Sequence, residues 1–260
     1  MRFFLKSNSQ ISVVIATHNR DNFLKEAIYS AINQIYPPLE ILVSDNVPSK
    51  DTELIVKEIS SNCTIPIHYF PHDMKGKSSI SMNLAVSKAK GIFIAFLNDD
   101  DVWEPSYLKK TFELILKKKS KVVYTWFSDW HLNEKKPGKK LDENLEMRDF
   151  LLKNPGCVIS NLIVNKDLFV GIGGFDEYIH PSNDKDFVMR ILFFGYKYNV
   201  LRENLVNLRR HEFDRETDIS VEFLRGMKKF FKKHDSVANF TTKIKFWLKY
   251  YFLLVKSKKF

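Results

Sequence analysis

Residues 92–97, IFIAFL, run without a break into four polar residues, Asn98, Asp99, Asp100 and Asp101, with Gly91 in front and Val102-Trp103 behind. Six apolar residues in a row, with no polar alternation, read as a strand buried on both faces. Carboxylates crowded at its end repel one another unless something positive sits among them. In open α/β sheets, ligands bind at the carboxyl ends of the strands. A divalent cation bridging to a phosphate accounts for such a cluster. The plainer reading has Asp101 capping the helix that Pro105 opens, with the other acids solvated.

The segments around this strand repeat its logic. Residues 11–16 (ISVVIA), 39–43 and 65–70 read as strands, the first ending at Thr17-His18-Asn19-Arg20 and the second at Ser44-Asp45-Asn46. Between them, Phe23, Leu24, Ala27, Ile28, Ala31 and Ile32 fall on one helical face, and helices are predicted over 52–60 and 80–88. Strand and helix alternate with short connections, which predicts a mostly parallel sheet with helices on both faces. Further on, helices are expected at 105–118, 166–170 and 184–194, and strands at 122–126, 158–164, 196–201 and 205–209. Residues 133–140, polar and carrying Pro137 and Gly138, read as a loop.

A chain of 260 residues holds one sizeable α/β domain with an appendage. No stretch reaches the roughly 18 to 20 apolar residues of a membrane span. The opening MRFFLK is too short for a secretory signal. Cys63 and Cys157 are too few and too far apart for a disulfide framework or a cysteine metal site, which fits a cytosolic setting. The net charge of +10 is concentrated at one end: residues 225–260 hold eleven Lys or Arg against the single acid Asp235, and residues 1–224 are neutral overall. This distribution argues against nucleic acid as the partner of the domain and points to a basic tail meeting an anionic surface.

Six segments then stand in a telling order: VVIATHNR (13–20), Ser44-Asp45-Asn46, LNDDDVW (97–103), GGFDE (173–177), NDKDF (183–187) and RRH (209–211). Together they resemble the family-2 inverting glycosyltransferases of GT-A fold, over residues 11 to about 211. The resemblance implies two abutting α/β halves in one domain that takes a nucleotide-sugar donor, with about 1–104 on the donor side, 105–218 on the acceptor side, and 219–260 as a basic, aromatic helical tail.

Carried over by position, the resemblance implies a nucleotide-side set of Thr17, His18, Asn19, Arg20, Asn98 and Asp99. Asp45 would meet the base, most often uracil. Asp100 matches the second acid of the family's Asp-X-Asp metal motif, for Mn²⁺ or Mg²⁺, and Asn98 stands where the first acid is usual. His211 matches a histidine that closes near the diphosphate. Asp184 matches the catalytic base, with Asn183 in place of the usual glutamate. The family's Ala-Arg-Asn stretch reads Ser81-Met82-Asn83, so its arginine is missing, and Lys75 or Lys77 would replace that charge. Each site residue also has a structural reading: Asp45 as an Asx-turn residue, Asp184 as a helix cap, His18 as turn filler and His211 as a surface residue. Asp186 is the fallback base, two positions along and so on another helix face.

The tail interleaves lysines with Phe230, Phe231, Phe246, Trp247, Tyr250, Tyr251 and Phe252. Its composition fits an amphipathic helix lying in a membrane interface. The alternatives are a helix docked on the domain or a homo-oligomer contact. The whole reads as a metal-dependent glycosyltransferase on the inner membrane face. Its donor class is a UDP-sugar, and its acceptor is a lipid-linked or cell-surface glycan such as lipopolysaccharide, capsule or lipid-linked oligosaccharide. A sugar-phosphate nucleotidyltransferase is the first rival, but residues 17–21 lack the glycines of a phosphate loop. A non-catalytic glycan- or nucleotide-binding module is the second.

Overall fold

The computed structural model describes residues 9–74, 78–132, 134–180, 182–210 and 220–257. The first half alternates as expected: β1 (Ile11–Thr17), α1 (Asp21–Ile32), β2 (Glu40–Asp45), α2 (Lys50–Ser61), β3 (Ile67–Pro71), α3 (Ser78–Lys88) and β4 (Phe93–Asn98). The second half runs β5 (Val102–Trp103), α4 (Tyr107–Lys118), β6 (Val122–His131), β7 (Glu134–Pro137), β8 (Leu162–Asn165), α5 (Lys166–Gly171), α6 (Asn183–Phe193) and β9 (Asn199–Arg209). Helices α7 (Val221–Lys233) and α8 (Phe240–Ser257) close the chain.

Among the described residues, nine strands form one sheet in the order β3-β2-β1-β4-β8-β6-β9-β5, with β7 paired on β6. Strands β3, β2, β1 and β4 are parallel. Beyond β4 the sheet is mixed: β8 is antiparallel to both β4 and β6, and β9 runs parallel to β6. The two faces share out the apolar runs by alternate residues. On β4, Ile94 and Phe96 enter one core, and Ala95 and Leu97 enter the other. On β1, Val14 and Ala16 face the first core and Ile11, Val13 and Ile15 the second. Covering layers on both sides are why these strands are apolar throughout.

Four expectations need correction. The strands expected at 196–201 and 205–209 are one strand, β9, which starts only at Asn199, because register shifts around Trp126 absorb the irregularity between them. The strand expected at 158–164 is shorter, since a tight 3-10 turn at Ile159–Asn161 occupies its first part. Within the polar stretch 133–140, Glu134–Pro137 pairs with β6 as an edge strand, and Asn133 lies outside the described residues. The tail is only partly a free appendage: Leu224, Met227, Phe230 and Phe231 of α7 are buried in the first core. Phe231 stacks on Phe246 of α8 at 3.7 Å, so a row of lysines and aromatics that looks interfacial is partly core.

Gly91, where the chain turns from α3 into β4, is held by its N–H to Ser12 Oγ at 2.8 Å. A Cβ there would lie 2.5 Å from the Ser12 nitrogen and 2.9 Å from the Gln10 carbonyl, both backbone atoms that cannot swing away. Gly91→Ala is therefore expected to destabilise the fold by about 1–3 kcal/mol. A lower urea midpoint with an unchanged slope is the readout.

Candidate functional site

The carboxyl ends of the parallel strands bring the predicted residues into one row. Thr17 is in register with Asp45, and Ala16 with Asn98. Past β1 the chain turns at Asn19, whose φ of 52° is left-handed, a conformation asparagine tolerates better than most residues. His18 and Asn19 are exposed at this turn.

Asp99 holds the turn. Its Oδ2 accepts from the Thr17 hydroxyl at 2.9 Å and the His18 N–H at 3.1 Å, and Arg20 reaches its Oδ1 at 3.2 Å. The same guanidinium donates to Asp100 Oδ2 at 2.8 Å. Asp101 accepts from the Ser160 hydroxyl, the Asn98 amide and the Arg209 N–H. It does not cap α4: that helix begins behind Ser106, so the plainer reading of the cluster fails at this residue. Asp100 is the aspartate that reaches the surface, at 17% side-chain exposure against 5% for Asp99.

The electrostatics make it costly for all three aspartates to carry charge at once. Burial, and after it the charge of Asp100, pushes the Asp99 and Asp101 carboxyls well above the usual carboxylate range. Arg20 is the guanidinium that reaches carboxylate oxygens on both Asp99 and Asp100. A divalent cation beside Asp100 suits this chemistry, since oxygen ligands with surplus negative charge are what Mg²⁺ and Mn²⁺ prefer. Among the described residues no three His, Cys, Asp or Glu side chains converge as a complete metal cage. A cation here would therefore rest on Asp100 and on oxygens brought by a ligand. Lys77 and His211 both lie outside the described residues.

Asp45 is fully buried at the end of β2. Its Oδ1 accepts from the Val47 N–H at 2.9 Å, which is an Asx turn, and its Oδ2 accepts from the Tyr69 hydroxyl at 2.7 Å. Burial, and then the bond to Asp45, raises the Tyr69 phenol well above its ordinary value, so Tyr69 remains the donor. His72 completes this corner: its Nε2 lies 3.2 Å from both Ser44 Oγ and Ser81 Oγ, and its N–H donates to the Asp45 carbonyl. Met82, where an arginine is usual, is buried in the core.

Asp184 lies in the first turn of α6. Its Oδ2 accepts from the Asn154 amide at 2.7 Å and its Oδ1 from the Lys185 N–H at 2.6 Å. Asn183 donates to Ser79 Oγ, binding α6 to α3. Burial lowers the neighbouring Lys185 ammonium to about 8 against the opposing charge of Asp184, and its Nζ sits 4.2 Å from the Phe230 ring centre. Asp186 is on the inner face and cannot meet an acceptor. It is fully buried and bonded to Arg190, Lys233 and His234.

Residues that pattern reading missed join the two acidic groups. The Asn154 side-chain Oδ1 takes the N–H groups of Gly156 and Cys157, and Asn161 donates to the Gly156 carbonyl at 3.0 Å. Next to Asn161, Ser160 bonds Asp101, and its carbonyl accepts from the Trp103 indole at 2.7 Å. Residues 154–161 thus run continuously from Asp184 to the acidic cluster. Arg209 is the other omission. Its Nε donates to the Asp100 carbonyl, and its guanidinium lies over Trp130 and Phe23 at 4.2 and 4.8 Å. The GGFDE turn is pinned by Asn83, which bonds both the N–H and the carbonyl of Phe175. Gly174, at φ 62°, has no space for a Cβ, which would sit 2.6 Å from Asn83 Oδ1.

A single sheet with a parallel first half, a mixed second half and an acidic cluster on the edge between them is the GT-A architecture of glycosyltransferases. The chain belongs to glycosyl transferase family 2, whose family profile matches residues 12–171. It is 30% identical over 210 residues to an uncharacterized glycosyltransferase of Methanocaldococcus jannaschii, a match covering 76% of this chain and 70% of that one. It is also 25% identical over 224 residues to the UDP-Glc:alpha-D-GlcNAc-diphosphoundecaprenol beta-1,3-glucosyltransferase WfgD of Escherichia coli, covering 83% of this chain and 87% of that protein.

Solved structures share the fold at lower identity. S. aureus TarS 1-349 in complex with UDP-GlcNAc aligns with a TM-score of 0.68 at 18% identity, over 86% of this chain and 66% of that one. The mannosyltransferase PcManGT from Pyrobaculum calidifontis, in complex with GDP-Man and Mn2+, aligns with a TM-score of 0.67 at 16% identity, over 90% of this chain and 66% of that one.

Proposed function

We propose that this glycosyltransferase moves a sugar from a nucleotide-diphosphate sugar, with a UDP-sugar as the donor class, to a hydroxyl of a lipid-linked or cell-surface glycan. Residues up to about 104 serve the donor, residues 105–218 serve the acceptor, and α7 and α8 brace the acceptor side. The carrying observation is the row of Thr17, Asp45 and residues 98–101 along one edge of the sheet, linked by residues 154–161 to the carboxylate of Asp184. The names of the relatives support the acceptor class: WfgD acts on a diphosphoundecaprenol-linked sugar, as does a Campylobacter jejuni beta-1,3-glucosyltransferase that is 34% identical over 92 residues. With an acceptor of that kind, the proposed setting is the inner face of the cell membrane.

In this reading Thr17, His18, Asn19 and Arg20 line the nucleotide, Asn98 and Asp99 support the ribose side, and Asp45 meets the base. Asp100, with His211, holds Mn²⁺ or Mg²⁺, which when bound stabilises the charge that grows on the diphosphate. Lys75 or Lys77 would supply the charge of the arginine that Met82 replaces. Arg20 balances part of the carboxylate charge and keeps Asp100 in place. Asp184 accepts the proton of the acceptor hydroxyl as that oxygen attacks the anomeric carbon. The bond from that carbon to the diphosphate oxygen breaks, its electron pair leaves with the diphosphate, and one displacement inverts the centre.

Thermal stability with UDP, GDP, CMP and dTDP, each with and without Mn²⁺, tests the donor site. A ligand at about 100 times its dissociation constant adds roughly 2.7 kcal/mol. The expected result is a manganese-dependent shift with UDP that disappears in Asp100→Asn. No shift with any nucleotide would sink the reading, and an equal shift in Asp100→Asn would remove the metal role.

A further inference from the structure

The two faces of α8 have different surroundings. On the inner side Phe246 is buried against Phe231, Trp247 and Tyr250 are half-buried, and Lys249 Nζ donates to the Leu152 carbonyl at 2.9 Å. These contacts fix the roll of the helix on the acceptor side of the domain. On the outer side Phe240, Ile244, Leu248, Tyr251, Phe252 and Val255 are all exposed, Leu248 at 67% and Phe252 at 61%. At 3.6 residues per turn these six fall within an arc of about 120°, and Lys245, Lys249 and Lys256 follow one border of it. The helix contains four lysines and no acid.

We propose that this outer stripe seats on an anionic lipid surface. Aromatic and aliphatic side chains on one arc enter the headgroup boundary, and Lys245 and Lys256 on its border extend their stems along it and keep their ammonium groups among the phosphates. The charge argues for this occupant over a second copy of the chain. The basic excess of residues 225–260 equals the net charge of the whole chain, +10, so pairing two such stripes would bring like charges together. No helix among the described residues is long and apolar enough to cross a membrane. The inference narrows the contact to one face of α8, because Leu224, Met227, Phe230 and Phe231 of α7 are already in the core. It goes beyond the transfer reaction, although it shares the membrane with the proposed acceptor.

The test is co-sedimentation of the full chain with vesicles of phosphatidylcholine plus phosphatidylglycerol, and of phosphatidylcholine alone. The chain is expected to pellet with the anionic vesicles and to be released by salt. The variant L248S/Y251S/F252S, whose three side chains are exposed and leave the fold intact, should partition at least about tenfold more weakly. Lys245→Glu with Lys256→Glu should abolish the preference for the anionic vesicles. An unchanged thermal transition in both variants confirms that folding is not the cause. The proposal is overturned if the parent stays in the supernatant with both vesicles, or if L248S/Y251S/F252S pellets like the parent. It is also overturned if the parent sediments as a dimer without lipid and that variant as a monomer. The assay involves no turnover, so its failure leaves the nucleotide-shift test of the donor site standing, and the reverse holds.

Discussion

Asp184→Asn is expected to lower sugar transfer by about a hundredfold or more, the loss typical when a general base is removed. Donor binding should not change. The substitution keeps the shape of the side chain, and its carbonyl oxygen can still accept from the Asn154 amide as the Asp184 carboxylate does at 2.7 Å. What it removes is the capacity to take a proton. Single-turnover transfer from the donor, measured beside the UDP-induced thermal shift, separates the two quantities. Full transfer in the variant would dismiss Asp184 as the base. A lost shift together with lost transfer would mean that residue 184 shapes the donor side.

Asp186 should produce the largest effect on stability, with none of that chemistry. Removing its carboxylate leaves Arg190, Lys233 and the buried ring of His234 without their shared counter-ion. Breaking a buried network in this way costs roughly 3–5 kcal/mol, so Asp186→Ala should unfold at much lower urea. Acid provides a second reading. Burial alone would raise this carboxyl, but the His234 bond and the charges of Arg190 and Lys233 outweigh it and hold the group at about 2, against 3.8 ordinarily. A depressed folded value stabilises fully above about pH 4 and is lost as the pH falls through 2. The contribution is about 2 kcal/mol. The acid limb of stability against pH should be shallower in the variant by that amount. A variant as stable as the parent, with the same acid limb, would show that the network is not holding α6 to α7.

The edge of the site was legible because its residues lie in contiguous motifs at strand ends, where the topology of parallel sheets already predicts ligands. Thr17, Asp45 and Asn98 come together simply because β1, β2 and β4 are neighbours in register. Asn154 and Ser160 were not legible. Each is a lone polar residue whose partner, Asp184 or Asp101, is distant in sequence and is brought to it only by the tertiary fold, which no local pattern marks. The tail misled for another reason. Lysines interleaved with aromatics describe a helix on lipid and a helix on a core equally well, since periodicity says which residues share a face but not what covers it. Phe230 and Phe231 went to the core, and Leu248 and Phe252 did not. Glu134–Pro137 looked like a loop because an exposed edge strand has no apolar face to display, and pairing with β6 makes it a strand.

Residues 154–161 act as a caliper. One end grips the carboxylate of Asp184, and the other grips the acidic cluster through Ser160. On the proposed assignment, the span between leaving group and attacking oxygen would be set by covalent chain and a few short bonds, rather than by the closing of two independent bodies. Acceptor preference can then diversify on the exposed surfaces around α6 and the GGFDE turn while the reaction distance stays constant. A change inside the caliper would alter that distance for every substrate alike.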